Sequence, residues 1–169
     1  MNIPGYATIA YEIAEQIGKI PGAVIVPAGQ GGLVLGLVRG FESLRTAGIT
    51  LALPKVIAVQ AEACAPLYAL STQGEAGLQS IKENDTLAEG VKNLNPVRAE
   101  VVLKAVDFSR GRFVAVPENE ILAGRDQLAK LGLYVEPTSA IVWNALEQTI
   151  NELPDPVVVI LTGSGLKYF

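Results

Sequence analysis

The sequence contains no histidine, and cysteine occurs only once, as Cys64. Without histidine the chain has no histidine-based triad, no histidine general base and no ordinary histidine-ligated zinc, so we predict no metal site. A single cysteine cannot form a disulfide within the chain. We therefore expect a reducing compartment, the cytoplasm.

Basic residues are few, with 13 Lys and Arg against 17 Asp and Glu and a formal net charge of -4. This charge balance lacks the electrostatic footprint of nucleic-acid binding. The sequence has no run of about 18 apolar residues, and residues 1–5 do not resemble the start of a signal peptide, so neither a membrane span nor secretion is expected. Half of the 169 residues are hydrophobic, which predicts one domain over residues 1–169 with a substantial core.

Short apolar runs alternate with helical patterns along the chain. The predicted strands are 23–26, 56–59, 113–116 and 157–161. The predicted helices lie near 9–17, 32–47, 65–70, 97–106, 118–131 and 137–153, with a polar surface loop over 71–85. Unbroken apolar strands separated by helices are typical of a parallel sheet covered on both faces. The sequence therefore predicts an α/β fold of three αβα layers around a mainly parallel sheet of about four strands.

The glycine-rich segment Gly29-Gln30-Gly31-Gly32-Leu33 lies between the first predicted strand and a long helix. Free N–H groups at a helix N-terminus, together with the helix dipole, favour phosphate binding. The same glycines could serve only a tight turn, and the segment alone leaves both interpretations open. A second glycine-rich loop, Thr162-Gly163-Ser164-Gly165, follows the last strand. Because parallel strands end at one edge of the sheet, both loops are predicted to face one site.

Four motifs occur in order along the chain: Gly5-Tyr6-Ala7-Thr8-Ile9-Ala10-Tyr11-Glu12-Ile13, Val26-Pro27-Ala28-Gly29-Gln30-Gly31-Gly32, Glu136-Pro137-Thr138-Ser139-Ala140 and Leu161-Thr162-Gly163-Ser164-Gly165-Leu166-Lys167. Together they resemble the C-terminal half of threonine synthase, a family of fold-type-II enzymes in the tryptophan-synthase β-like group that use pyridoxal 5'-phosphate. The resemblance covers nearly the whole chain. Four motifs in register are more specific than any one of them.

The resemblance implies a role for each loop. Gly29, Gln30, Gly31, Gly32 and Leu33 would wrap the cofactor phosphate with their backbone N–H groups. Thr162 would hydrogen-bond the pyridine nitrogen, and Glu136 would lie near the cofactor ring. Read without the resemblance, Thr162 could be a turn residue after a strand, and Glu136 an acidic residue at a helix N-terminus.

Gln30 favours the synthase branch of the family, since the related amino-acid dehydratases usually have only glycine in this loop. Leu33 and Ser164 stand where threonine synthases often have asparagine and histidine. The amino-acid substrate is therefore open between O-phosphohomoserine and a serine or threonine substrate of dehydratase-like chemistry.

In this family the lysine that holds the cofactor covalently belongs to the N-terminal half, in a Ser-(Phe/Tyr)-Lys context. No lysine of this chain stands in such a context, so we predict no catalytic residue here. The expected function is the C-terminal portion of a lyase for elimination or replacement on an amino acid, inactive without the lysine-bearing half. The surface for that half would be covered by a second copy of the chain or by an N-terminal partner. A non-catalytic module for a phosphorylated ligand and an interaction domain are the alternatives.

Overall fold

Helices alternate with four strands in a computed structural model that describes residues 3–81 and 84–167. In chain order the elements are α1 (Ile3–Ile17), β1 (Ala23–Pro27), α2 (Gly32–Thr46), β2 (Lys55–Ala61), α3 (Pro66–Gln73), α4 (Glu75–Ser80), α5 (Ala99–Phe108), β3 (Arg112–Val116), α6 (Glu118–Lys130), α7 (Pro137–Thr149) and β4 (Val157–Val159). Short 3-10 turns lie at Glu62–Cys64, Glu89–Val91, Ile150–Glu152 and Gly165–Lys167. No helix of these described ranges is long and apolar enough to cross a membrane.

The four strands form one sheet in the order β3-β2-β1-β4, and every pair is parallel. From β1 the chain moves outward to β2 and then to β3. It then returns across the sheet to place β4 on the other side of β1. The direction of winding therefore reverses between β1 and β4, which makes the ends of these two strands the topological switch point.

Strand residues point alternately to the two faces of the sheet, as the strand period of two requires. Val24 and Val26 of β1 pack with Phe41 in a core under α1, α2 and α5. Ile25 packs on the other face in a second core with Ile141 of α7. The predicted three-layer α/β fold with a parallel sheet is confirmed.

Helix α1 lies unusually close to α2 because small residues line the contact. A Cβ on Gly40 would overlap the backbone oxygen of Ala7, and one on Gly36 would overlap the side chain of Tyr6. Two helices can approach this closely only where side chains are missing. The contact fixes the position of α2, whose N-terminus carries the glycine-rich segment.

The predicted surface loop over 71–85 is wrong in its first part. Helix α3 continues to Gln73, and α4 follows at once over Glu75–Ser80. Gly74, with a φ of 65°, reverses the chain between them, and Gly77 then packs against the backbone of Ala69. Residues 82 and 83 of the predicted loop lie outside the described residues.

Three predicted boundaries also shift. The predicted helix 97–106 lies at Ala99–Phe108. The predicted helix 137–153 ends at Thr149 and continues as a 3-10 turn. The predicted strand 157–161 pairs with β1 only over Val157–Val159, opposite Ala23–Ile25, and the chain then leaves the sheet.

Candidate functional site

The two glycine-rich loops leave neighbouring strands at the same edge of the sheet. Strands β1 and β4 pair in parallel, and the N–H of Ile160 donates to the carbonyl of Ile25 over 2.9 Å. Adjacent strands lie about 4.8 Å apart, so the segments after Pro27 and after Val159 begin side by side. This edge is also the switch point of the sheet, where ligands of open α/β sheets bind.

The segment after β1 presents a row of free donors. The N–H of Ala28 bonds to Val59 over 2.7 Å, and the carbonyl of Gly31 accepts the N–H of Leu35 over 2.9 Å. Between them, the N–H groups of residues 29–34 have no hydrogen-bond partner within residues 3–81 and 84–167. These donors stand at the N-terminus of the 15-residue helix α2, where the helix dipole adds positive potential. Unpaired N–H groups at a helix N-terminus are donors of the kind that favour an anion.

A side chain would be crowded at two glycines of this segment, Gly29 and Gly31. A Cβ on Gly29 would lie 3.0 Å from the carbonyl oxygen of Gly90 and 3.2 Å from the Cα of Val91. Gly31 has a φ of 79°, and a Cβ there would overlap the fully buried side chain of Val102. At Gly31 both the backbone conformation and the packing therefore require glycine, whereas at Gly29 a Cβ would crowd the neighbouring backbone.

Gln60 of β2 holds the start of the glycine-rich segment through hydrogen bonds of its side chain. Its side chain is fully buried, donates from Nε2 to the carbonyl of Ala28 over 3.1 Å and accepts the N–H of Tyr68 at Oε1 over 3.0 Å. A buried amide with both ends paired holds its partners firmly, since breaking either bond leaves a desolvated polar group. Gln60 therefore fixes Ala28 and, through it, the path of the segment.

The first turn of α7 joins two further segments of the site. The Oγ1 of Thr138 accepts the N–H of Gly90 over 3.0 Å. The Oγ of Ser139 accepts the N–H of Thr162 over 2.6 Å. The N–H of Glu136 donates to the carbonyl of Gly163 over 3.1 Å. One helix end thus holds both the turn Glu89–Val91, which lies against Gly29, and the loop after β4.

Thr162 and Glu136 flank this loop. Thr162 is exposed at the end of β4, and its Oγ1 lies 3.4 Å from the Oγ of Ser139. Glu136 is partly buried, precedes Pro137 at the N-terminus of α7, and extends its carboxylate into the space where a Cβ of Gly163 would stand. The structure thus places Thr162 and Glu136 at the same edge as Gly29, Gln30, Gly31, Gly32 and Leu33.

The roles of Gln60, Thr138 and Ser139 were not predicted from the sequence. The sequence did contain a signal for Thr138 and Ser139. Both follow Pro137 at a predicted helix start, where hydroxyl side chains commonly bind nearby backbone N–H groups. Gln60 offered a weaker signal as a polar residue at the end of an apolar strand. Its partners Ala28 and Tyr68 could not be read from the sequence.

Two cavities elsewhere in the described residues contain none of the predicted site residues. One, of about 440 Å³, lies beside Arg45 and Phe108, and the other, of about 550 Å³, lies beside Lys104 and Phe113. The edge that carries the loops is instead open at Gln30 and Thr162, both exposed. The candidate site is therefore an open surface at this edge of the sheet, formed by residues 29–33, Glu136 and Thr162, which we call the shelf.

Residues 1–163 match the family described as pyridoxal-phosphate dependent enzyme. This chain belongs to that family. Its curated relatives include the threonine synthases of Methanosarcina acetivorans, 33% identical, and Methanocaldococcus jannaschii, 34% identical. Each comparison covers 98% of this chain and 42% of the relative, so the chain spans less than half the length of these relatives and matches their C-terminal part.

Solved structures share the fold of this chain. A T.th. threonine deaminase matches with a TM-score of 0.72 at 27% identity, over 96% of this chain and 57% of that one. Maize serine racemase matches with a TM-score of 0.74 at 21% identity, over 96% of this chain and 50% of that one, which shows a common fold. The predicted resemblance to threonine synthase and the pyridoxal-phosphate cofactor of the family are confirmed.

The residues present fit the phosphate end of that cofactor. Consecutive N–H groups without partners in the described chain suit the several oxygens of a phosphate dianion, which charge-assisted hydrogen bonds stabilise strongly. Gly29 and Gly31 keep this row of donors free of side chains. The hydroxyl of Thr162, at the end of the neighbouring strand, offers a neutral donor on the same shelf.

Proposed function

We propose that this chain is the C-terminal portion of a threonine-synthase-like pyridoxal-phosphate lyase, in which residues 1–169 fold as one domain and hold one side of the cofactor. The row of free N–H groups at the N-terminus of α2, beside Thr162 at the switch point, carries the proposal. Membership of the family and the threonine synthase relatives support it.

In this proposal Gly29, Gln30, Gly31, Gly32 and Leu33 bind the cofactor phosphate through their backbone N–H groups. The donors are already in place, because β2 and Gln60 hold Ala28 while Gly31 caps the N-terminus of α2. Binding therefore needs little ordering of the chain, and little affinity is lost to conformational entropy.

The hydroxyl of Thr162 donates a hydrogen bond to the pyridine nitrogen of the cofactor. A hydroxyl is a neutral donor with a very high pKa, so it leaves that nitrogen unprotonated. Bound in this way, the cofactor supplies a moderated electron sink, which suits elimination or replacement on an amino acid. Glu136 lies beside Gly163 and borders the cofactor ring from the α7 side.

Catalysis requires a lysine from outside this chain, since none of its own lysines stands in the family's motif. We propose that a lysine-bearing N-terminal half or a second copy of the chain covers the open edge at β4. All three residues of β4 are partly exposed, although they are apolar and continue the sheet. The buried, single cysteine Cys64 fits a cytoplasmic setting.

The threonine synthase relatives favour O-phosphohomoserine as the substrate class, and Gln30 agrees with that branch. The likeness to a threonine deaminase at 27% identity keeps a serine or threonine dehydratase-like activity as the second candidate. The substrate itself would be selected largely by the half that is not in this chain.

Nuclear magnetic resonance titration of the ¹⁵N-labelled chain tests the proposal. Inorganic phosphate should shift the amide signals of residues 29–34, even at millimolar affinity. Pyridoxal 5'-phosphate should shift these signals and that of Thr162, whereas pyridoxal without phosphate should bind far more weakly. Thr162→Val should weaken binding of pyridoxal 5'-phosphate and leave inorganic phosphate binding unchanged.

Three other results would contradict the proposal in different ways. Equal binding of pyridoxal and its phosphate would remove the assigned role of residues 29–34. Binding of inorganic phosphate with no effect at Thr162 from the whole cofactor would favour a module for another phosphorylated ligand. No binding of either probe at millimolar concentration would favour an interaction domain.

A further inference from the structure

Among residues 3–81 and 84–167, the fully buried polar side chains of α7 are Ser139 and Thr149, which lie at opposite ends of the helix. Ser139 stands in the first turn of α7, directly under the loop that follows β4. Its Oγ accepts the N–H of Thr162 over 2.6 Å and, at the limit of hydrogen bonding, the N–H of Gly163 over 3.5 Å. Ser139 therefore holds the backbone from which the Thr162 side chain projects.

These two bonds decide where the hydroxyl proton of Ser139 goes. A serine hydroxyl has two acceptor lone pairs and one proton. With both lone pairs directed at the N–H groups of Thr162 and Gly163, only the proton is left to donate. The Oγ1 of Thr162 lies 3.4 Å away, a contact in which either hydroxyl could donate, and the two N–H groups on Ser139 favour Ser139 as the donor.

We infer that Ser139 is a positioning residue that turns the Thr162 hydroxyl into a donor directed away from the protein, toward the pyridine nitrogen of the cofactor. Because Ser139 donates to the Oγ1 of Thr162 and has no lone pair to accept in return, the proton of Thr162 is free to point outward. The inference rests on the proposed function, in which Thr162 binds that nitrogen. The contact with Ser139 explains how the hydroxyl of Thr162, although exposed at an open edge, would keep its proton pointing in one direction.

The decisive experiment compares Ser139→Ala with Thr149→Val. Thr149 lies on the same helix, is 1% exposed and donates its buried hydroxyl to the carbonyl of Ala145 over 2.7 Å. Both variants thus remove one buried hydroxyl from α7, but only Ser139→Ala removes one that contacts the Thr162 loop. Circular dichroism and urea unfolding would first show that both variants fold.

Two measurements then separate positioning from general loss of stability. Without ligand, hydrogen exchange at the N–H of Thr162 should accelerate in Ser139→Ala and stay unchanged in Thr149→Val. With ligand, Ser139→Ala should weaken pyridoxal 5'-phosphate binding about tenfold while inorganic phosphate binding stays within twofold, because a single lost hydrogen bond has about this effect. Ser139→Thr, which retains the hydroxyl, should restore most of the cofactor affinity.

A double variant tests the connection through Thr162 directly. In a Thr162→Val background, Ser139→Ala should cause little further loss of cofactor affinity, since the donor it positions is already gone. Equal cofactor binding by Ser139→Ala and the wild-type chain would overturn the inference and leave the proposed function intact. Failure of the wild-type chain to bind both phosphate and cofactor would overturn the two together.

Discussion

The loops after β1 and β4 face the same edge of the sheet but have different surroundings. Strand β1 is buried at all its residues, and its loop lies against the turn Glu89–Val91 and against Val102. Strand β4 is partly exposed at all its residues, and Thr162 beyond it is exposed. In the proposed site, this chain therefore completes the phosphate side itself, while the ring side depends on whatever covers β4.

Gly31→Ala should have the largest effect, because it breaks the enclosed loop. A Cβ at Gly31 meets both a left-handed backbone conformation and the buried side chain of Val102, for a combined cost of about 3 kcal/mol. Phosphate binding should be lost as well. Urea unfolding and phosphate titration measure the two effects.

Gly48→Ala is the matched control for that change. Gly48 also has a positive φ, 74°, near the other end of α2, but a Cβ there meets nothing within 4 Å. It should cost only about 1 kcal/mol and leave phosphate binding unchanged. Equal costs at the two glycines would show that packing on Val102 does not hold the loop.

Gly29→Ala and Gly163→Ala compare the two loops directly. A Cβ at Gly29 meets backbone atoms of Gly90 and Val91, which cannot turn aside, so we expect a loss of about 1–2 kcal/mol and weaker phosphate binding. The nearest atoms to a Cβ at Gly163 belong to the flexible end of the Glu136 side chain, which can turn aside, so we expect a change within about 0.5 kcal/mol. Urea unfolding measures the loss of stability in both variants. A larger loss for Gly163→Ala than for Gly29→Ala would contradict the conclusion that the loop after β1 is the more tightly packed of the two.

Val159→Pro tests whether the open edge at β4 is covered by another chain. The N–H of Ile160 points to β1, so by the alternation of a parallel strand the N–H of Val159 points away from it. Proline at this position should therefore leave the β1–β4 pairing in place and prevent a further strand from joining. We expect self-association, measured by light scattering, to weaken by about tenfold or more.

Leu51→Lys is the control for nonspecific association, since Leu51 is 98% exposed and lies beside Arg45 and Phe108. It should leave the association unchanged. If the wild-type chain is monomeric at 0.1 mM, on the order of typical structural samples, a second copy does not cover this edge. The N-terminal half would then be the remaining occupant of the proposal.

Gln30→Glu should have the smallest effect, because it adds one charge to the proposed phosphate loop without changing the shape of the loop. Gln30 is exposed, so folding should be unaffected, and repulsion should weaken phosphate binding about fivefold at low salt. Gln127→Glu makes the same change on the exposed face of α6 and should alter binding less than twofold. If both variants bind phosphate equally well, the phosphate does not lie at residues 29–33.

Most of the fold could be predicted because its signals are local. Unbroken apolar runs predicted the strands, glycines marked the turns, and the four motifs led to the family. The helix of residues 75–80 could not be predicted, since its stability comes from packing on α3 through Gly77 rather than from its own sequence pattern.

The supporting residues of the site depend on the tertiary structure for a similar reason. Gln60 bonds to Ala28, Thr138 to Gly90 and Ser139 to Thr162, pairs that are separated by 32, 48 and 23 positions along the chain. No periodic pattern of residues in the sequence indicates such distant pairs. They become visible only when the sheet brings the ends of β1, β2 and β4 to one edge.

The sequence by itself determined the alternation of strands and helices, the glycine-rich loop after β1 and the family, because these depend on residue type and short spacing. The tertiary structure decided which side of β1 receives β4, which residues hold the two loops and which edge stays open. These depend on contacts between distant segments, whose free energy appears only when the sheet is assembled.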